Sequence, residues 1–200
     1  IPFNNFNSIS KKSKSKVSGL QSKNIPVVLL NEPDSQQNII SVYCDKKKAG
    51  LKSTRYLINM GHQNIGCILS DDLHISDNRI YKGYVQALYD AEILFDASHV
   101  ILDSSSNQLA DSVKSLINMN VTAFLCQNSK QALVLYGILK TFGLSVPRDI
   151  SVICAIDSTL SEIIVPRLTA VVHPHNEISL AAVEKLTNLI ENNINPDKFV

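Results

Sequence analysis

The stretch Asp45–Leu69, DKKKAGLKSTRYLINMGHQNIGCIL, decides the fold. Asp45 can accept hydrogen bonds from the first N–H groups of a helix, the helix runs to about Met60, and Gly61 stops it. Ile65–Leu69 follows as a short, unbroken apolar run. A capped helix that hands over to such a run is the repeating unit of a parallel sheet buried on both faces.

Working outward, the same alternation continues. Apolar runs of strand length occur at Val27–Leu30, Ile40–Cys44, Val100–Leu102, Val121–Cys126, Ile150–Ala155 and Leu168–Val172. Between them lie segments of helical period. Asp77 is expected to cap a helix with Ile80, Tyr84, Ala87 and Leu88 on one face, and Asn107 opens another with Leu109, Val113, Leu116 and Ile117. Asn128 or Ser129 starts a fourth helix, which Gly143 ends, and the last begins near Asn176. The first 25 residues are polar, with Lys11, Lys12, Lys14 and Lys16 close together, and read as a solvated loop rather than a nucleic-acid arm.

Composition narrows the function. The 200 residues carry 44% hydrophobic side chains and a formal net charge of +1. That is ample for a core and too little positive charge for holding nucleic acid by phosphate neutralisation. Sequence-specific DNA binding by these residues alone is not expected, since no helix-turn-helix pattern occurs. No apolar run has the length of a membrane span, and the start, Ile-Pro-Phe, has no signal-peptide pattern. Cys44, Cys67, Cys126 and Cys154 sit in or at the ends of apolar runs without C-x-x-C spacing. They read as reduced thiols, at least three of them buried.

Catalytic motifs are missing. None of the seven glycines builds a G-x-G-x-x-G, a G-x-x-x-x-G-K-[ST] or a G-x-S-x-G. His173 and His175 flank a proline with no third ligand at metal spacing, and Asp71-Asp72 reads as solvated loop charge. No catalytic residue, metal or cofactor is expected. Polar residues gather instead where strands end: the Asp71–Arg79 loop, Asp103–Ser106, Gln127-Asn128-Ser129, Asp157-Ser158 and His173. Open parallel sheets bind ligands there, and amides and hydroxyls suit a polyhydroxylated molecule. Taken singly, Asn128, Asp77 and Asp157 are equally good helix caps.

Three stretches carry a family resemblance: Asp45–Ile65, Gly143–Val152 (GLSVPRDISV) and Leu168–Pro174 (LTAVVHP). Residues 40 to about 192 resemble the effector-binding core of the LacI/GalR repressors, most of all the arabinose-responsive repressors that join this core to a GntR-type winged helix. The resemblance implies an α/β, two-lobed periplasmic-binding-protein-like fold with parallel sheets, the first lobe incomplete. It places residues 1–62 in the first lobe, 63–173 in the second, and 174–200 in a return to the first. It implies a cytoplasmic homodimer that binds a carbohydrate-like effector, has no membrane contact, and touches operator DNA only through an N-terminal domain not present among these residues. A periplasmic-type sugar-binding protein, an enzyme on a Rossmann-like sheet and a degenerate fragment with impaired ligand binding are the alternatives.

The resemblance also nominates Arg79, Asn128, Asp157 and His173 as ligand residues. The family's helix arginine falls at Ile80, with Arg79 one residue earlier, and the family's two acidic positions are Ser129 and Ile156. Losing an aspartate at Ile156 removes a charge-assisted bond to a sugar hydroxyl, worth roughly 2–4 kcal/mol with the desolvation it leaves. Arabinose is therefore expected to bind weakly.

Overall fold

The computed structural model describes residues 11–30, 39–71, 75, 78–103, 106–157 and 160–191; the side chains of residues 11–15, 103, 106, 107 and 160 lie outside that description. Asp72, Leu73, His74, Asp77 and Ser158, all in loops singled out above, lie outside it too. The chain forms two compact units.

The smaller unit comprises residues 1–44 and 174–200. Its elements are α1 (Lys11–Gln21), β1 (Val28–Leu30), β2 (Ile40–Val42) and α7 (His175–Glu191). β1 and β2 pair in parallel, Val28 opposite Ile40, and α7 packs on both strands and buries Ile178, Ala182 and Leu189. α1 corrects the loop expected over its residues. The helix shows Lys16, Ser18 and Leu20 to solvent and half-buries Val17, so it needs no apolar stripe. Lys, Gln and Leu favour helix intrinsically, which a search for periodicity does not register.

The larger unit is residues 45–173. It contains α2 (Lys46–Asn59), β3 (Ile65–Ser70), α3 (Arg79–Asp90), β4 (Val100–Asp103), α4 (Ser106–Asn118), β5 (Ala123–Asn128), α5 (Ser129–Thr141), β6 (Ser151–Ile156), the short α6 (Leu160–Ile163) and β7 (Thr169–Ala170). The strands form one parallel sheet in the order β4-β3-β5-β6-β7. Alternation along each strand sends residues to opposite faces. Ile68, Phe124, Cys126, Val152 and Cys154 meet Leu109, Val113, Leu135 and Leu139 of α4 and α5. Ile65, Cys67, Leu69, Leu125 and Ile153 meet Leu57 of α2 and Ile80, Tyr84 and Leu88 of α3. Strands buried on both faces explain why their sequences read as continuous apolar runs.

The expected lobe boundary at residue 62 is corrected here. α2 belongs with the larger unit because its backbone lies directly against α3. A Cβ on Gly50 would stand 2.4 Å from the Ile80 carbonyl oxygen, and one on Gly83 2.2 Å from that of Lys47. Two facing glycines allow this approach, and α2 buries Ser53, Thr54 and Leu57 on the same sheet.

Local signals fix the ends of α2. The Asp45 carboxylate accepts from the N–H groups of Lys47 (2.9 Å) and Lys48 (3.1 Å). Gly61 takes φ +93° while His62 N–H reaches the Leu57 carbonyl at 3.1 Å, closing the helix in the left-handed manner. His62 then lies between Thr122 Oγ1 (2.9 Å) and Ser151 Oγ (3.0 Å), joining three strands at their amino ends. Partial burial lowers its pKa from the ordinary histidine value.

None of the four cysteines forms a disulfide, and Cys67, Cys126 and Cys154 are buried while Cys44 is partly exposed. Burial raises the Cys67 thiol's pKa and pushes that of Cys154 up to about 12. Thiolate is the reactive form. A bulky thiol reagent should therefore modify one cysteine, Cys44, quickly in the native protein, and the other three only in denaturant. Fast native labelling of three thiols, read by mass spectrometry, would contradict this packing.

Candidate functional site

Because the sheet is parallel, the carboxyl ends of its strands share one edge. Ser70, Asp103, Asn128, Ile156 and Ala170 end the five strands there, with Asn128 opposite Ile156 in the ladder. Arg79 is the first residue of α3 and is exposed. Asp157 directly follows β6, and His173 lies three residues beyond β7, both half-buried. The four nominated residues thus all belong to this edge.

Their local surroundings differ. Asn128 caps α5, its Oδ1 accepting from Gln131 N–H at 3.0 Å. Asp157 Oδ1 accepts from the Ser161 hydroxyl, and its N–H donates to the Val171 carbonyl at 3.2 Å. Ile80, at the position of the family's arginine, is 2% exposed and packs with Tyr84 in the core. One helical step of about 100° separates it from Arg79, which accounts for the cation's exposure. Ser129, at the first acidic position, is 2% exposed, so a carboxylate there would be buried.

The cap of α3 is Asn78 rather than the expected Asp77. Asn78 Oδ1 accepts from Ile80 N–H (3.0 Å) and Tyr81 N–H (3.1 Å). Its Nδ2 donates to Gln127 Oε1 at 2.8 Å, a bond that an aspartate, having no donor, cannot make.

That bond belongs to a network that was not anticipated from the sequence. Gln127 Oε1 also accepts from Ser70 N–H at 3.3 Å, so one buried oxygen holds both ends of the β3–α3 connection. Gln131 Oε1 accepts from Gln127 N–H at 3.1 Å, and Gln131 Nε2 donates to Ser70 Oγ at 3.4 Å. Asn78, Gln127 and Gln131 are 4%, 8% and 4% exposed. The available signal was the set Gln127, Asn128, Gln131 at the end of an apolar strand, where buried amides require partners.

Among the described residues no group of His, Cys, Asp and Glu could hold a metal ion, and no helix is long and apolar enough to cross a membrane. A groove of about 470 Å³ lies beside edge strand β4, lined by Ser98, Val100, Leu102, Gln108, Asp111 and Ser115 among others, and contains none of the four nominated residues.

Residues 54–200 match the periplasmic binding protein-like domain family. The chain is 31% identical over 175 residues to the probable HTH-type transcriptional repressor ExuR of Bacillus subtilis, covering 86% of this chain and 52% of that protein. It is 27% identical over 179 residues to the arabinose metabolism transcriptional repressor of Halalkalibacterium halodurans, covering 86% and 47%. The chain thus spans about half the length of these curated relatives. The crystal structure of the transcription regulator CcpA of Lactococcus lactis superposes with a TM-score of 0.76 at 27% identity, over 92% of this chain and 67% of that one. The chain belongs to the periplasmic binding protein-like domain family, in the branch that forms the effector-binding core of LacI-type transcriptional repressors.

Proposed function

We propose that this chain senses a small carbohydrate-like effector at the carboxyl edge of its larger sheet and passes the signal to a transcriptional repressor of which it is part. The observation that carries the reading is the placement of Arg79, Asn128, Asp157 and His173 at that edge, in a domain of this family. Amides and hydroxyls held by a buried network meet the donor and acceptor needs of a hydroxylated ligand with little ordering on binding. Arg79 brings a cation, Asp157 an acceptor for hydroxyls, and His173 a ring nitrogen. The protein works in the cytoplasm as a homodimer, catalyses nothing, and contacts operator DNA through a part outside these residues.

Calorimetric titration with pentoses, hexoses and phosphorylated sugars tests this. One class should bind saturably, and arabinose should bind only weakly. Arg79→Ala should weaken the bound class by about tenfold or more, as expected for a lost charge-assisted bond. Absence of binding by every class, or an unchanged affinity in Arg79→Ala, would contradict it.

A further inference from the structure

The orientation of each side-chain amide at the proposed site is set by a backbone N–H, which can only donate. Ile80 and Tyr81 N–H groups fix Asn78 Oδ1, which leaves Asn78 Nδ2 to donate to Gln127 Oε1. Ser70 N–H fixes the same Gln127 oxygen independently. Gln127 N–H fixes Gln131 Oε1, and Gln131 N–H fixes Asn128 Oδ1. Each oxygen is thereby already engaged. Among the described residues, Nε2 of Gln127, which is 8% exposed overall, and Nδ2 of the half-buried Asn128 have no recorded acceptor. Ser70 Oγ accepts from Gln131 Nε2, and its own proton likewise has no recorded acceptor among the described residues.

Resting on the effector reading above, we infer that the β3–β5 side of this site is built of hydrogen-bond donors and receives an oxyanion, a carboxylate or phosphate carried by the hydroxylated effector. Arg79 opens α3 next to Asn78, and the amino ends of α3 and α5 add their positive poles. Asp157, beyond β6, remains to accept from hydroxyls. Each hydroxyl of a neutral sugar carries a donor proton beside its acceptor lone pairs, and a row of donors gives that proton no acceptor; an oxyanion presents acceptors alone and accepts charge-assisted bonds.

The test compares matched probes on the 200-residue chain by calorimetry: glucose, glucuronate and glucose 6-phosphate, and galactose, galacturonate and galactose 6-phosphate. At least one acidic probe should bind about tenfold or more tighter than its neutral parent, as charge-assisted bonds require. Carboxylate and phosphate sources separate by which probe of a set wins. Asn128→Asp keeps the Oδ1 cap, since aspartate caps as well as asparagine. It exchanges the Nδ2 donor for a negative oxygen. It should cost the acidic probe about tenfold or more beyond whatever it costs the neutral parent, a split that general unfolding does not produce. Neutral sugars binding as tightly as their acids, or acid binding unharmed by Asn128→Asp, overturns the inference and leaves the effector reading intact. Failure of all six probes to bind overturns both.

Discussion

Gly83→Ala should destabilise the chain by about 2–3 kcal/mol, a large share of the roughly 5–15 kcal/mol that holds a domain folded. A methyl group at this position would meet backbone atoms only: the Lys47 carbonyl oxygen at 2.2 Å, Leu51 N at 2.6 Å and Gly50 C at 3.0 Å. No rotamer can relieve contacts between main chains, so α2 and α3 must move apart and loosen Leu57, Ile80, Tyr84 and Leu88 beneath them. Against this stands the intrinsic helix preference of alanine over glycine, about 1 kcal/mol. Packing wins because two helices must shift. Gly137→Ala supplies the internal control. Gly137 lies within α5, is exposed, and has nothing within 4 Å of an added Cβ, so there the propensity gain acts alone. Urea denaturation should show opposite signs for the same substitution, Gly83→Ala lowering the midpoint and Gly137→Ala raising it. Equal shifts would refute the close helix crossing.

Phe124→Ala is expected to cost about 3–5 kcal/mol, the range for emptying a fully buried aromatic site. Phe124 is 0% exposed, at the centre of the core beneath α4 and α5. Its ring fills the space left by Gly66 on the neighbouring strand, where a Cβ would stand 2.6 Å from two ring carbons. Phe124→Leu, which keeps much of the volume, should cost less, about 1.5 kcal/mol. The measurement is again urea unfolding, with an unchanged slope. A loss under about 1 kcal/mol for Phe124→Ala would mean that the sheet face is less closely packed than described.

These two sites show what the sequence disclosed and what it withheld. Strands buried on both faces announce themselves as apolar runs, and Asp45, Gly61, Asn128 and Gly143 mark helix ends by chemistry that operates over a few residues; the structure uses Asp45 and Asn128 as caps and sets both glycines at positive φ. Everything that depends on a distant partner was harder to read. Gly50 and Gly83 are 33 positions apart, and only their contact reveals that α2 belongs to the larger unit. The choice of Asn78 over Asp77 as cap turns on Gln127, 49 residues away. α1 formed without an apolar stripe, so periodicity had nothing to register.

The candidate site was legible as an edge rather than as an arrangement. The rule for parallel sheets selected Asn128, Asp157, Arg79 and His173, and each lies at the carboxyl edge. The resemblance showed what is absent there, Ile80 and Ser129 being buried where the family pattern implies a cation and an acid. The network of Ser70, Asn78, Gln127 and Gln131 stayed hidden because two strand ends and two helix starts from separate parts of the chain compose it.

The proposed effector site is the carboxyl edge of the larger sheet. Backbone amide NMR shifts, followed while the tightest-binding sugar probe is titrated in, locate the bound molecule. Saturable shifts are expected, concentrated at Ser70, Arg79–Tyr81, Gln127–Gln131, Asp157 and His173. Shifts concentrated instead around His62, Thr122 and Ser151 at the amino ends of the strands, or along the Ser98–Asp111 groove beside β4, would contradict it.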